Sequence, residues 1–128
     1  MGKLKSFVVV VDDDESVCRA IKRLLRSVGI AAETFASGDA FLDVLSSMPS
    51  YRPACVILDV QMPGLNGLEV QQRLSGSGTP VIFITAHDNI SVREQAFAGG
   101  AVAYILKPFN DDLFIRTVRA ALEGGQPP

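Results

Sequence analysis

Apolar residues in this chain gather into five short runs, separated by stretches where they recur every three or four positions. Phe7-Val8-Val9-Val10-Val11 is apolar throughout, the pattern of a strand buried on both faces. Behind it, Val17, Ile21, Leu24, Leu25 and Val28 share one face of a helix that Gly29 stops. Residues 30–35 form a weaker, more polar run, as suits an edge strand. Ser37 is a good N-cap for a helix carrying Phe41, Val44, Leu45 and Met48 on one face. Pro49 and Pro53 bound a loop before a third strand over residues 54–58. Pro63-Gly64 and Asn66-Gly67 are turn dipeptides, so a tight loop precedes a short helix over 68–74, which Gly76-Ser77-Gly78 ends. Residues 80–85 predict a fourth strand, 90–98 a helix stopped by Gly99-Gly100, and 102–106 a fifth strand. Asn110 or Asp111 caps a last helix that turns Phe114, Val118, Ala121 and Leu122 inward, and Phe97 is expected in the core with Phe114.

Strands alternating with helices at this spacing specify βαβ units, hence an α/β fold with a doubly wound parallel sheet covered on both faces. In such sheets ligands bind beyond the carboxyl ends of the strands. The first run empties into Asp12-Asp13-Asp14, the third ends on Asp59, the fourth on Thr85, and the fifth on Lys107 before Pro108. Acids gathered at one edge repel one another and cannot all be well solvated, so the cluster costs free energy until something neutralises it. Asp12, Asp13 and Asp59 set against Lys107 leave two negative charges in excess, which one divalent cation cancels. Oxygen ligands without His or Cys favour Mg2+, which keeps waters and takes one or two carboxylates plus a phosphate. A lysine and a threonine hydroxyl at the same edge suit a phosphoryl group. A carboxylate can itself be the nucleophile, and phosphoryl transfer needs mostly positioning and charge neutralisation.

Composition narrows the setting. With 128 residues, 48% of them hydrophobic, the chain is one domain with a real core rather than a disordered segment. A net charge of −2 and no basic stripe argue against direct nucleic-acid binding by this segment. No apolar stretch approaches the roughly 20 residues of a membrane span, and no signal peptide is visible. Cys18 and Cys55 read as buried small hydrophobes in a reducing compartment, so a cytoplasmic location is expected.

The strand-end residues, taken together, resemble a known family. Val11-Asp12-Asp13, Asp59-Val60-Gln61-Met62-Pro63-Gly64, Ile84-Thr85-Ala86 and Lys107-Pro108-Phe109 are similar, in order and position, to the receiver domain of two-component response regulators. The likeness covers residues 7–122. Val11 to Val17, Ala86-His87 and Ala101-Val102-Ala103-Tyr104 look most similar to the FixJ/NarL-type subgroup of transcriptional regulators. The resemblance implies a flavodoxin-like, CheY-like sheet of five parallel strands in the order 2-1-3-4-5, with five helices. It makes Asp59 both the phosphoacceptor and a Mg2+ ligand, Asp13 a direct Mg2+ ligand, Asp12 a helper through water, and the Gln61 carbonyl a further ligand. Thr85 and Lys107 would contact the phosphoryl oxygens, and the Lys107–Pro108 bond would be cis. Tyr104 takes the place of a switch aromatic that turns inward as Thr85 moves, while Gln61 and His87 stand where the family tunes phosphoryl lifetime. The resemblance further implies a sensor histidine kinase as partner and a C-terminal DNA-binding output domain reached through a linker at 123–128. A phosphorylation-dependent homodimer belongs to the same picture. Such a phosphoprotein is a signal-transduction switch that catalyses its own phosphorylation and dephosphorylation, not a conventional enzyme. A free-standing receiver acting through protein–protein contacts would look almost the same.

Plainer readings apply to some of these residues. Asp14 and Glu15 are better read as N-cap and first-turn acids. His87, the only histidine, is by default an exposed loop residue, and nothing frames it as a relay site. An aspartyl-phosphate phosphatase of the haloacid-dehalogenase type would want a second Asp where Gln61 stands. A flavodoxin-like FMN carrier would want a Ser/Thr/Gly loop where three acids stand.

Overall fold

The computed structural model describes residues 6–124. Strands and helices alternate strictly: β1 (Phe7–Val11), α1 (Glu15–Ser27), β2 (Ala31–Phe35), α2 (Gly38–Ser47), β3 (Cys55–Asp59), α3 (Gly67–Arg73), β4 (Val81–Thr85), α4 (Ile90–Ala98), β5 (Ala103–Leu106) and α5 (Asp111–Leu122). All pairings are parallel and the order is β2-β1-β3-β4-β5, the doubly wound sheet expected from the alternation. The chain winds outward through β2, then crosses back to β3, so β1 and β3 flank the switch point. Val11 is level with Leu58, Asp59 with Ile84 and Thr85 with Leu106. That register brings the ends of β1, β3, β4 and β5 to one edge.

The pleat sorts each strand between two cores. Val8, Val10, Ile57, Ile82 and Ile84 pack against Cys18, Ile21 and Leu25 of α1 and Phe114 and Val118 of α5. Val9, Val11, Val56, Leu58 and Phe83 pack against Phe41 of α2, Val70 of α3 and Ala96 of α4. Residues 8–11 and 55–58 are wholly buried, which is why those runs are continuous rather than alternating. The polar run of β2 lies at the sheet edge, with Ala31 and Glu33 exposed. Both cysteines are buried and poorly reactive: burial, then the Asp12 charge, pushes the Cys18 thiol up to about 11, and burial pushes Cys55 up to about 12.

Two expected core residues are not in the core. Phe97 is 43% exposed, because the neighbouring Ala96 takes the inward position and successive helical residues point about 100° apart. Met48 is 49% exposed, because α2 ends at Ser47 and leaves it as the C-cap. Asn110, not Asp111, caps α5 by accepting from the Leu113 N–H. Of the expected linker, Glu123 caps α5 and Gly124 turns with φ +74°, while residues 125–128 lie outside the described residues.

The loop from β3 to α3 folds back on the sheet edge. Gly67 N–H donates to Val60 O, and Asn66 and Glu69 close a reciprocal cap at the start of α3. Gly67 sits against the Asp59 carbonyl and the Phe83 ring with no space for a Cβ. Gly67→Ala must therefore shift backbone, and we expect it to lose about 1–3 kcal/mol in urea unfolding. An unchanged midpoint would show that the loop yields freely.

Candidate functional site

Three consecutive aspartates at the end of β1 have three different surroundings. Asp12 is 1% exposed: its N–H donates to Phe35 O, its Oδ1 accepts from the Asp14 N–H, and its Oδ2 accepts from Lys107 Nζ at 2.9 Å. Asp13 is exposed. Asp14 caps α1, accepting from the Ser16 hydroxyl and from the Ser16 and Val17 N–H groups, and these bonds hold its carboxyl below the ordinary range. The plainer reading of Asp14 therefore holds.

Asp59, the last residue of β3, is 6% exposed. One carboxylate oxygen from each of Asp12, Asp13 and Asp59 lies within 4.8 Å of the others. Against them stands Lys107, whose ammonium is 2.9 Å from Asp12 and 3.6 Å from Asp59. Its backbone N–H donates to Thr85 O at 2.7 Å, and the Lys107–Pro108 peptide bond is cis. Among the described residues no cation pairs with Asp13.

The charges are under-compensated. Burial, then the Asp12 charge, pushes the Asp59 carboxyl up to about 6, with Lys107 only partly opposing and Asp13 adding to the push. Burial works against the Lys107 ammonium, but its bond to Asp12 and the Asp59 charge outweigh that and raise its pKa. Three converging carboxylate oxygens with no thiolate or imidazole among them form a donor set that fits a hard divalent cation.

The remaining expected residues lie at or after the ends of β3 and β4 and within β5. Thr85 is 2% exposed, and its hydroxyl accepts from the His87 N–H at 3.2 Å and lies 3.3 Å from His87 O, so it is tied to its own loop. The side chains of Gln61 and His87 are exposed. Tyr104 packs 6.5 Å from Phe83, with the Arg93 guanidinium 5.8 Å from its ring, and its hydroxyl is buried without a hydrogen-bond partner. Burial pushes that phenol up from its ordinary pKa. One buried polar residue escaped the sequence reading: Gln71 on α3, 6% exposed, donates to Ala96 O on α4. Gly67, Val70, Gln71 and Leu74 follow inward helical spacing, and a glutamine within that stripe was the available signal.

Comparison with known proteins agrees with this geometry. Residues 8–119 match the family described as response regulator receiver domain. Nodulation protein W of Bradyrhizobium diazoefficiens is 41% identical over 93% of this chain and 52% of its own length. Transcriptional regulatory protein FixJ of the same organism is 34% identical over 96% of this chain and 60% of its own length. The chain thus spans a little over half the length of these relatives. The crystal structure of a response regulator receiver protein from Burkholderia phymatum is 72% identical, covers 97% of this chain and 100% of that one, and superposes with a TM-score of 0.86.

Two stability tests follow from the site. A carboxylate with a folded pKa near 6 and an ordinary value of 3.8 penalises the folded state fully above the first and not at all below the second. Asp59→Asn should therefore stabilise the protein near neutral pH by about 1–3 kcal/mol, an advantage that fades as pH falls toward ~4. An Asn variant equally or less stable at neutral pH would contradict this. Tyr104→Phe deletes an unpartnered buried hydroxyl, so its thermal midpoint should match or exceed that of the wild type.

Proposed function

The chain belongs to the response regulator receiver domain family, and from that premise we propose that it is the phosphorylation-dependent switch of a two-component system. The observation that carries this reading is the buried Asp59 held beside Asp12 and Asp13 with a single shared ammonium. Asp59 attacks the phosphorus of a kinase phosphohistidine, or of a small phosphodonor. With phosphohistidine the P–N bond breaks and the imidazole leaves with its electron pair; with an acyl phosphate the P–O bond breaks and the carboxylate leaves; either way an aspartyl phosphate results. Asp13, Asp59, Asp12 through water, and the Gln61 carbonyl would hold Mg2+, which when bound would cancel charge on the carboxylates and the phosphoryl oxygens. Hydrolysis at the same carboxylate resets the switch, with Gln61 and His87 exposed at positions suited to governing water access. Autophosphorylation and its reversal are the chemistry; the output is a signal, not a product.

Lys107 lies within reach of Asp59 to pair with the new charge. Thr85 can exchange its bonds to the His87 backbone for one to a phosphoryl oxygen. That releases the loop ahead of α4 and changes the room around Tyr104, a local charge event biasing a two-state element. Ile90, Phe97, Leu106 and Leu113 are exposed on α4, β5 and α5, and are the apolar side chains these elements would offer to a homodimer or an output domain. Relatives of nearly twice the length, one of them named a transcriptional regulator, support a DNA-binding output domain beyond a linker at 123–128. A sensor histidine kinase and a cytoplasmic setting complete the proposal. No helix among the described residues is long and apolar enough to cross a membrane.

Intact-protein mass after incubation with acetyl phosphate tests the reading. We expect one Mg2+-dependent phosphoryl adduct on the wild type and none on Asp59→Asn. Stoichiometric incorporation by the variant would refute the assignment of Asp59.

A further inference from the structure

Among the described residues the buried polar side chains are Asp12, Asp59, Thr85 and Gln71. The first three belong to the carboxylate edge, and the fourth does not. Gln71 lies in the last turn of α3, where its Nε2 donates to Ala96 O at 2.9 Å. The same oxygen accepts the Ala101 N–H at 3.0 Å, so the amide joins the bond that closes the end of α4. Gly99 shows how closely the amide is seated. Its φ of −82° suits any residue, yet a Cβ there would lie 2.7 Å from Gln71 Oε1 and 3.0 Å from its Nε2. Gly100 differs: its φ is +102° and nothing crowds it. Of the two glycines, one makes room for Gln71 and the other makes the turn.

The rest of α4 is weakly held. Ala96 is its one buried residue, Val92 is partly buried, and Ile90 at its start is 73% exposed. We propose that Gln71 is a positioning residue that pins the C-terminal turn of α4 to α3, making Ala96 the pivot about which α4 turns. The pin shares a frame with Asp59, because α3 begins at Gly67 against the Asp59 carbonyl and reaches Gln71 one turn later. Displacement of the loop at Thr85–His87 then swings the N-terminal end of α4 on an arm of roughly 9 Å, from Ile90 to Ala96. This rests on the proposed role of α4 as an output surface, but the pin itself exists without phosphate.

Amide hydrogen exchange on the whole chain separates the two. Without phosphodonor, Gln71→Leu should speed exchange at Gly99, Gly100 and Ala101 roughly tenfold, with β1 and β3 unaffected. Gly99→Ala, which displaces the amide from the other side, should do the same and serves if Gln71→Leu does not fold. Unchanged exchange at these three amides in a folded variant would overturn the pin. With Mg2+ and beryllofluoride as phosphoryl analogue, the wild-type response between Ala86 and Ala101 should stay within residues 86–94 and extend through 101 in Gln71→Leu. A wild-type response already reaching Gly99 would overturn the pivot. No wild-type response at all would count against the phosphoryl switch, and the exchange rates without phosphodonor alone would then decide the pin.

Discussion

One ammonium shared between two buried carboxylates governs this molecule. Lys107 reaches Asp12 at 2.9 Å and Asp59 at 3.6 Å, and it is the only cation that does so among the described residues. It directly follows β5 at the sheet margin, while the acids stand at the ends of β1 and β3 nearer the centre. The ion pairs therefore span strands that do not touch and fix the relative depth of three strand ends. The arrangement is balanced on the side of too much negative charge, which raises the affinity of Asp59 for a proton.

The sheet makes that imbalance tolerable. β1, β3 and β4 are buried on both faces by α1 and α5 on one side and α2, α3 and α4 on the other. The electrostatic cost at the edge is set against two apolar cores that share every central strand, so repulsion cannot push the strand ends apart without disturbing both. Flexibility is left to the elements with few buried side chains, above all α4 and the loop ahead of it.

Much of this was legible in the chain itself. Uninterrupted apolar runs at 7–11, 54–58 and 81–84, bounded by turn signals, read as doubly buried strands, and the acids and lysine at the strand ends fell at one edge once the strands were parallel. What escaped depended on rotation or on partners distant in sequence. Phe97 looked like core because large aromatics usually are, but a helix that buries one small residue turns its neighbour to solvent. Gln71 stood out only by falling within the inward stripe of α3, and its partner could not be read until Ala96 and Gly99 were placed against it. That Thr85 bonds to His87 rather than into the acidic cluster is a choice of side-chain rotamer, which no spacing rule encodes.

The run Asp12-Asp13-Asp14 repeats one letter three times, yet its members are not copies of one another. The first is buried and wired to β2 and Lys107, the second is open to solvent, and the third starts α1. A one-residue slip of this tripeptide would leave composition, charge and local spelling unchanged while reassigning every job: the buried acid would become the open one, and the open one the helix cap. Identity of residue type here gives no redundancy. The information lies in the reading frame set by the strand before it and the helix after it.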